Sequence, residues 1–148
     1  MNSQAPRWIK ALVALFGVFY VLNGFLMLFG PNAWFVNTPG VTDTGPYNSH
    51  LVSDIGTFYI PLGIALALSA RDPARNLLVI AAAAGASLLH SLLHLYTHAV
   101  GWLSYEHLLT EIIAIYFPTA LLVAMVVVLA RTPATTMAPN ALRAAGAR

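Results

Sequence analysis

Four apolar stretches dominate this 148-residue chain, at about residues 8–29, 50–70, 76–97 and 104–130. Each is long enough to cross a bilayer, which takes about twenty apolar residues in a helix. A segment inside the hydrocarbon core must satisfy its own backbone hydrogen bonds, so a chain built this way folds as helices. The expectation is an all-α fold, a four-transmembrane-helix antiparallel bundle, with both termini in the cytoplasm. Composition agrees. Hydrophobic residues make up 59 % and charged residues 8 %, against about 25 % charged in a soluble domain. So few charges do not cover a water-facing surface, and the lipid bilayer takes that role.

The length allows one domain, and no internal repeat is visible. There is no cysteine, which excludes disulfides, thiolate metal ligands and c-type haem attachment. The few basic residues are scattered rather than clustered, which argues against nucleic-acid binding. Arg7 and Lys10 precede an apolar run as in a signal peptide, but the run is of spanning length and no small-x-small site follows it. An uncleaved helix is expected.

Local signals set the boundaries. Gly30, Pro31 and Asn32 end the first helix, because proline cannot continue the hydrogen-bond ladder. A polar loop rich in turn formers runs to about residue 49, with Trp34, Phe35 and Tyr47 suited to the headgroup region. Pro61 and Pro118 are expected to kink the second and fourth helices. Residues 71–75 form a tight turn, and Ser104 is a plausible N-cap. The tail from about 131 to 148 has the composition of a disordered segment. All seven basic residues (Arg7, Lys10, Arg71, Arg75, Arg131, Arg143 and Arg148) fall on one side of this topology. The positive-inside rule makes that side cytoplasmic, as in a multi-pass protein of a bacterial inner membrane.

The opposite end gathers all five histidines and four of the five acids, leaving only Asp72 inside. His50 and Asp54 are four residues apart, as are His90 and His94, His94 and His98, and His107 and Glu111. Such pairs share a helix face and span about 6 Å of depth at about 1.5 Å per residue. Two layers are expected: a deeper one of Asp54, His90 and Glu111, and a shallower one of His50, His94 and His107. Imidazole and carboxylate are the usual ligands of iron, copper and zinc, and bundles build metal sites from facing helices. These six residues are therefore candidate ligands of a transition metal, with haem b, held by two of the histidines, as another cofactor. A hydrogen-bonded polar network or proton relay without metal satisfies the same buried charges. His98 and Glu106 are expected at the water boundary, and Tyr20 and Asn23 as helix-packing contacts.

Known catalytic signatures are absent. His90 and His94 lack the glutamate of the zinc-protease motif, and no Glu-x-x-His pair of the di-iron type occurs. Phe16, Gly17, Gly24, Phe29, Gly30 and Pro31, with Ile55, Gly56, Thr57, Phe58, Tyr59 and Gly63, give the chain a resemblance to small bacterial four-helix membrane proteins of the DoxX-like type. That resemblance implies the fold and a place as accessory subunit of a larger membrane complex. It assigns no catalytic residue. A small-molecule transporter would need a homo-oligomer, and no duplicated half is visible.

Overall fold

A computed structural model describes residues 5–131, apart from the His107 side chain. The described residues are helical, with no strand among them. The elements are α1 (Arg7–Phe29), α2 (Pro31–Asn37), α3 (Ser49–Ser69), α4 (Leu77–Ala99) and α5 (Leu108–Arg131). Short 3₁₀ turns cover Val41–Thr44 and Tyr105–His107. Helices α1, α3, α4 and α5 are each long and apolar enough to cross a membrane, the mark of a multi-pass membrane protein. The tail expected to be disordered lies, beyond Arg131, outside the described residues.

The short helix α2 falls where the sequence suggested only a polar loop. Pro31 stands in its first turn, where a missing N–H costs nothing. Trp34 Nε1 then donates to Asn23 Oδ1 at 2.8 Å, which ties α2 back to α1. Phe35 packs against Tyr47, with ring centroids 5.2 Å apart. Asn23 thus serves a helix contact, as expected of it, but to α2.

Helices α1 and α3 meet through glycine. A Cβ at Gly17 would lie 2.5 Å from the backbone nitrogen of Ala67, and one at Gly63 would lie 2.7 Å from the carbonyl oxygen of Gly17. A Cβ at Gly56 would lie 2.8 Å from the carbonyl oxygen of Gly24. Gly17 therefore faces Gly63, and Gly24 faces Gly56, so numbers rise on one helix as they fall on the other. In lipid no hydrophobic gain draws two helices together. Close backbone packing across small residues supplies the dispersion contact instead.

One apolar cluster joins all four long helices. It contains Ile9 and Val13 of α1, Leu66 of α3, Ile80, Ala83 and Ala84 of α4, and Leu122, Met125 and Leu129 of α5. The start of α1, the end of α3, the start of α4 and the end of α5 thus lie together, with Arg7, Lys10, Arg71, Arg75 and Arg131 around them. Asp72 shapes the α3–α4 turn by accepting from the Arg75 backbone N–H at 3.2 Å. Further along the bundle the contacts become polar. Tyr20 Oη and Ser87 Oγ are 2.8 Å apart, linking α1 to α4, and Tyr59 of α3 stacks on Tyr20 at 4.9 Å. Thr119 Oγ1 of α5 donates to the Ser87 carbonyl at 3.3 Å, while Ser91 Oγ lies 2.9 Å from that hydroxyl.

The two helix prolines act differently. Helix α3 runs through Pro61 without a break in its helical course. In α5 the residues before Pro118, Ile112–Tyr116, form a π turn, and the Phe117 N–H bonds to the Ile112 carbonyl five residues back. Proline lacks the N–H that the carbonyl four residues earlier would accept. A wider turn hands such carbonyls to donors one residue further on, so Pro118 is absorbed by a change of helical register.

Replacing Gly17 or Gly63 by valine should therefore separate α1 from α3. Overpacking of this kind costs about 1–3 kcal/mol, and thermal unfolding in detergent should show a clear fall in Tm. Gly85→Ala is the control. Nothing lies within 4 Å of a Cβ there, and Tm should hold or rise slightly through the better helix propensity of alanine.

Candidate functional site: a buried carboxylate between two histidines

The Glu111 side chain is buried in the apolar bundle, with the residue 8 % exposed. An isolated carboxylate in such a place is costly, so its partners define the site. His98 Nε2 lies 2.7 Å from Glu111 Oε2. His94 Nδ1 lies 3.3 Å from Oε1. Both imidazoles come from the last turns of α4, one turn apart, so they share a face toward α5. The carboxylate stands between them.

Local structure fixes His98. Helix α4 ends in a Schellman turn, with Gly101 at φ 76°. The Trp102 N–H bonds to the Thr97 carbonyl at 2.9 Å and the Gly101 N–H to the His98 carbonyl at 3.1 Å. Only a residue tolerant of positive φ ends a helix this way without strain. The ring of Trp102 packs edge-on against Tyr96 at 5.8 Å, the apolar contact that accompanies such caps. The reversal brings the Leu103 carbonyl within 3.3 Å of His98 Nδ1. Tyr105 in the following 3₁₀ turn then stacks on the His98 ring at 4.9 Å. Ser104 occupies the N-cap position of that turn, as expected, but makes no side-chain cap bond.

These bonds restrict where protons sit. A carbonyl only accepts, so His98 Nδ1 carries hydrogen. One further proton occupies the short bond between Nε2 and Oε2. The 2.7 Å separation falls in the range of a charge-assisted bond between an imidazolium and a carboxylate. The pair is then neutral as a unit, which suits its burial. His94 is different. Its Nδ1 approaches Oε1 closely enough for attraction but is not aligned for a hydrogen bond, and it is buried without another partner. The His90 ring meets that of His94 edge-on, 4.7 Å between centroids.

The π turn adds a fourth group. A turn closed by a bond over five residues places residues five apart on one face, as the α-helical bond does for residues four apart. Tyr116 follows Glu111 by five. Its hydroxyl is buried without a hydrogen-bond partner and lies within electrostatic reach of Glu111.

The six residues expected to share one two-layer site do not converge. His94 and Glu111 meet, with His90 beside them. His50 and Asp54 instead pair with each other on the exposed start of α3, Nε2 to Oδ2 at 3.3 Å. One turn of helix sets the two side chains on a common face, and that face is exposed. The His107 side chain is outside the described part of the structure. His98, expected at the water boundary, is 5 % exposed and makes the shortest bond of the site; the Schellman turn folds the following loop back over it. Glu106 is exposed, in keeping with an interfacial place. Among the described residues no group of three or more histidine and acidic side chains is placed to hold a metal ion.

Removing one member of the His98–Glu111 pair leaves a buried polar group unmatched, at a cost of about 3–5 kcal/mol for buried ion pairs. His98→Leu and Glu111→Leu should each lower the unfolding temperature in detergent more than the double substitution does. Equal and additive losses would mean that the two side chains do not act as a unit.

No protein-family model, curated protein or solved structure matches this chain.

Proposed function

We propose that the chain is a bacterial inner-membrane protein, a four-helix antiparallel bundle with both termini cytoplasmic, whose working group is a proton-exchanging cluster at its outer end. The end ringed by Arg7, Lys10, Arg71, Arg75 and Arg131 is cytoplasmic by the positive-inside rule. Glu111 carries the reading: a buried carboxylate with an imidazole on each oxygen. Intramembrane ionisable groups of this kind mark proton relays.

The cluster has one proton placed in the His98–Glu111 bond. A second has a seat on His94 Nδ1, 3.3 Å from Oε1, where the charge it brings is attracted to the carboxylate. The groups that face Glu111 are His94 and His98 from α4 and Tyr116 from its own helix. His90 stands behind His94, and Tyr105 covers His98. No lysine or arginine of the described chain lies at this end, so the imidazoles supply the only compensating positive charge.

The protein acts within a larger membrane assembly or a homo-oligomer, as an accessory subunit rather than an enzyme. Four of the glycines that carry the DoxX-like resemblance, Gly17, Gly24, Gly56 and Gly63, make the α1–α3 contact.

Infrared difference spectra between neutral and acidic pH test the proton reading. Wild-type protein should show carboxyl and imidazole bands that respond together, and Glu111→Gln should remove the carboxyl component. A difference spectrum unchanged by Glu111→Gln would sink the idea.

One observation favours a second reading, in which iron, copper or zinc binds at His94 and Glu111. His94 Nδ1 is a buried nitrogen beside a carboxylate oxygen, without a hydrogen-bond partner. His98 does not fit as a ligand, because both its ring nitrogens are engaged. Metal analysis of detergent-purified protein from metal-replete cells decides. Stoichiometric metal lost in His94→Ala would establish this reading, and its absence would leave the proton site.

A further inference from the structure

Buried polar atoms almost always have a hydrogen-bond partner. Among the described residues His94 Nδ1 and Tyr116 Oη are the two buried side-chain atoms that lack one. The first belongs to a side chain against the Glu111 carboxylate, the second to one within its electrostatic reach. His94 Nδ1 stands 3.3 Å from Glu111 Oε1, and the π turn sets Tyr116 on the Glu111 face of α5. Two orphaned atoms in unrelated places would be two local defects. Two orphaned atoms that share one buried carboxylate as their nearest charge point instead to a small polar site of one charged acceptor, one hydroxyl and one imidazole nitrogen.

We propose that these three groups bind a single water molecule, and that this water delivers the exchangeable proton to His94. A buried water needs two to four polar partners. Here it donates one hydrogen to Glu111 Oε1 and the other to the His94 Nδ1 lone pair, and accepts from the Tyr116 hydroxyl. The atoms balance simply. A proton arriving on the water oxygen makes hydronium, one hydrogen passes to His94 Nδ1, and neutral water remains. Tyr116 is a positioning residue, since it fixes the water and neither gains nor loses a proton overall. The proton role rests on the reading proposed above; the water site itself does not.

The surroundings decide from which side the water is reached. Below the cluster lie the Ser91–Thr119 and Tyr20–Ser87 hydroxyl contacts, whose groups are bonded to one another. Beneath them Ile9, Val13, Leu66, Ile80, Leu122, Met125 and Leu129 close the bundle with apolar side chains. The apolar cluster therefore closes the path from the site toward the arginine end.

The test is the pH-difference infrared spectrum recorded in ordinary water and in water labelled with oxygen-18. Wild type should show an O–H stretching band that shifts with the label, and Tyr116→Phe should lose that band while keeping the Glu111 carboxyl band. If Tyr116→Phe does not fold, His94→Ala should show the same loss. A wild-type spectrum with the carboxyl band but no label-sensitive band overturns the water site and leaves the proton reading intact. A label-sensitive band that survives in the variant overturns the assignment to these residues. A label-sensitive band that Tyr116→Phe removes, without any Glu111 signal, upholds the water site and overturns its part in proton transfer.

Discussion

One carboxylate sets the terms for the half of this bundle away from the arginines. Glu111 is buried among apolar helices, where a bare negative charge is far from tolerable. Everything near it can be understood as an answer to that charge. His98 brings its Nε2 to within 2.7 Å of Oε2, and the loop after α4 holds the His98 ring through its other nitrogen. The loop does so through a backbone carbonyl, and the carbonyl reaches the ring because Gly101 reverses the chain. Positive φ at one glycine is thus connected, through Leu103 and His98, to the charge state of a side chain on the next helix.

The bundle divides along its length into regions with different physics. At the arginine end four helices interlock through aliphatic side chains, and the contact is dry. Along α1 and α3 the contact is made by backbone, since glycines at seven-residue spacing on each helix let the two approach closely. Toward the other end α4 and α5 are held by hydroxyl, imidazole and carboxylate. A polar contact in lipid is directional and specific to its partners, whereas dispersion contact is neither. One end of the bundle is thus fixed by packing, and at the other the contact between α4 and α5 is made by hydrogen bonds.

Much of the fold was legible in the sequence because bilayer thickness leaves little choice. A run of apolar residues such as Trp8 to Phe29 has one stable form in lipid, and the long helices begin and end within a few residues of expectation. The gathering of histidines and acids at one end was legible, but its layers and azimuth were not: Glu111 meets His94 and His98 rather than standing level with His90. Spacing of four places His50 with Asp54 and His94 with His98 on common faces, yet says nothing of which neighbour a face meets. The glycine contact decides that α1 takes α3 as its close partner, and so His50 and Asp54 are carried away from α4. Glycine spacing at 17, 24, 56 and 63 was the available signal, and it reads as a packing interface only once the two sets are placed opposite each other. His98 was misjudged because its burial depends on a chain reversal after the helix. Gly101 was the clue, three residues on.

The proline in α5 shows how a local constraint becomes a functional one. In a regular α-helix residues 111 and 116 would lie on different faces, because five residues overshoot a turn of 3.6. Pro118 removes the donor that would keep the preceding turn regular, and the wider π turn restores the bonding five residues apart. The same adjustment turns Tyr116 onto the face of Glu111. A proline that sequence reasoning assigns only to a kink therefore changes the chemistry of the site without touching it. Pro61 produces no comparable turn in α3, whose neighbouring face carries the glycine contact instead. The difference follows from what each helix must do there: α3 must stay regular to keep Gly56 and Gly63 in register with α1, while α5 is free to widen where its polar face needs one more group.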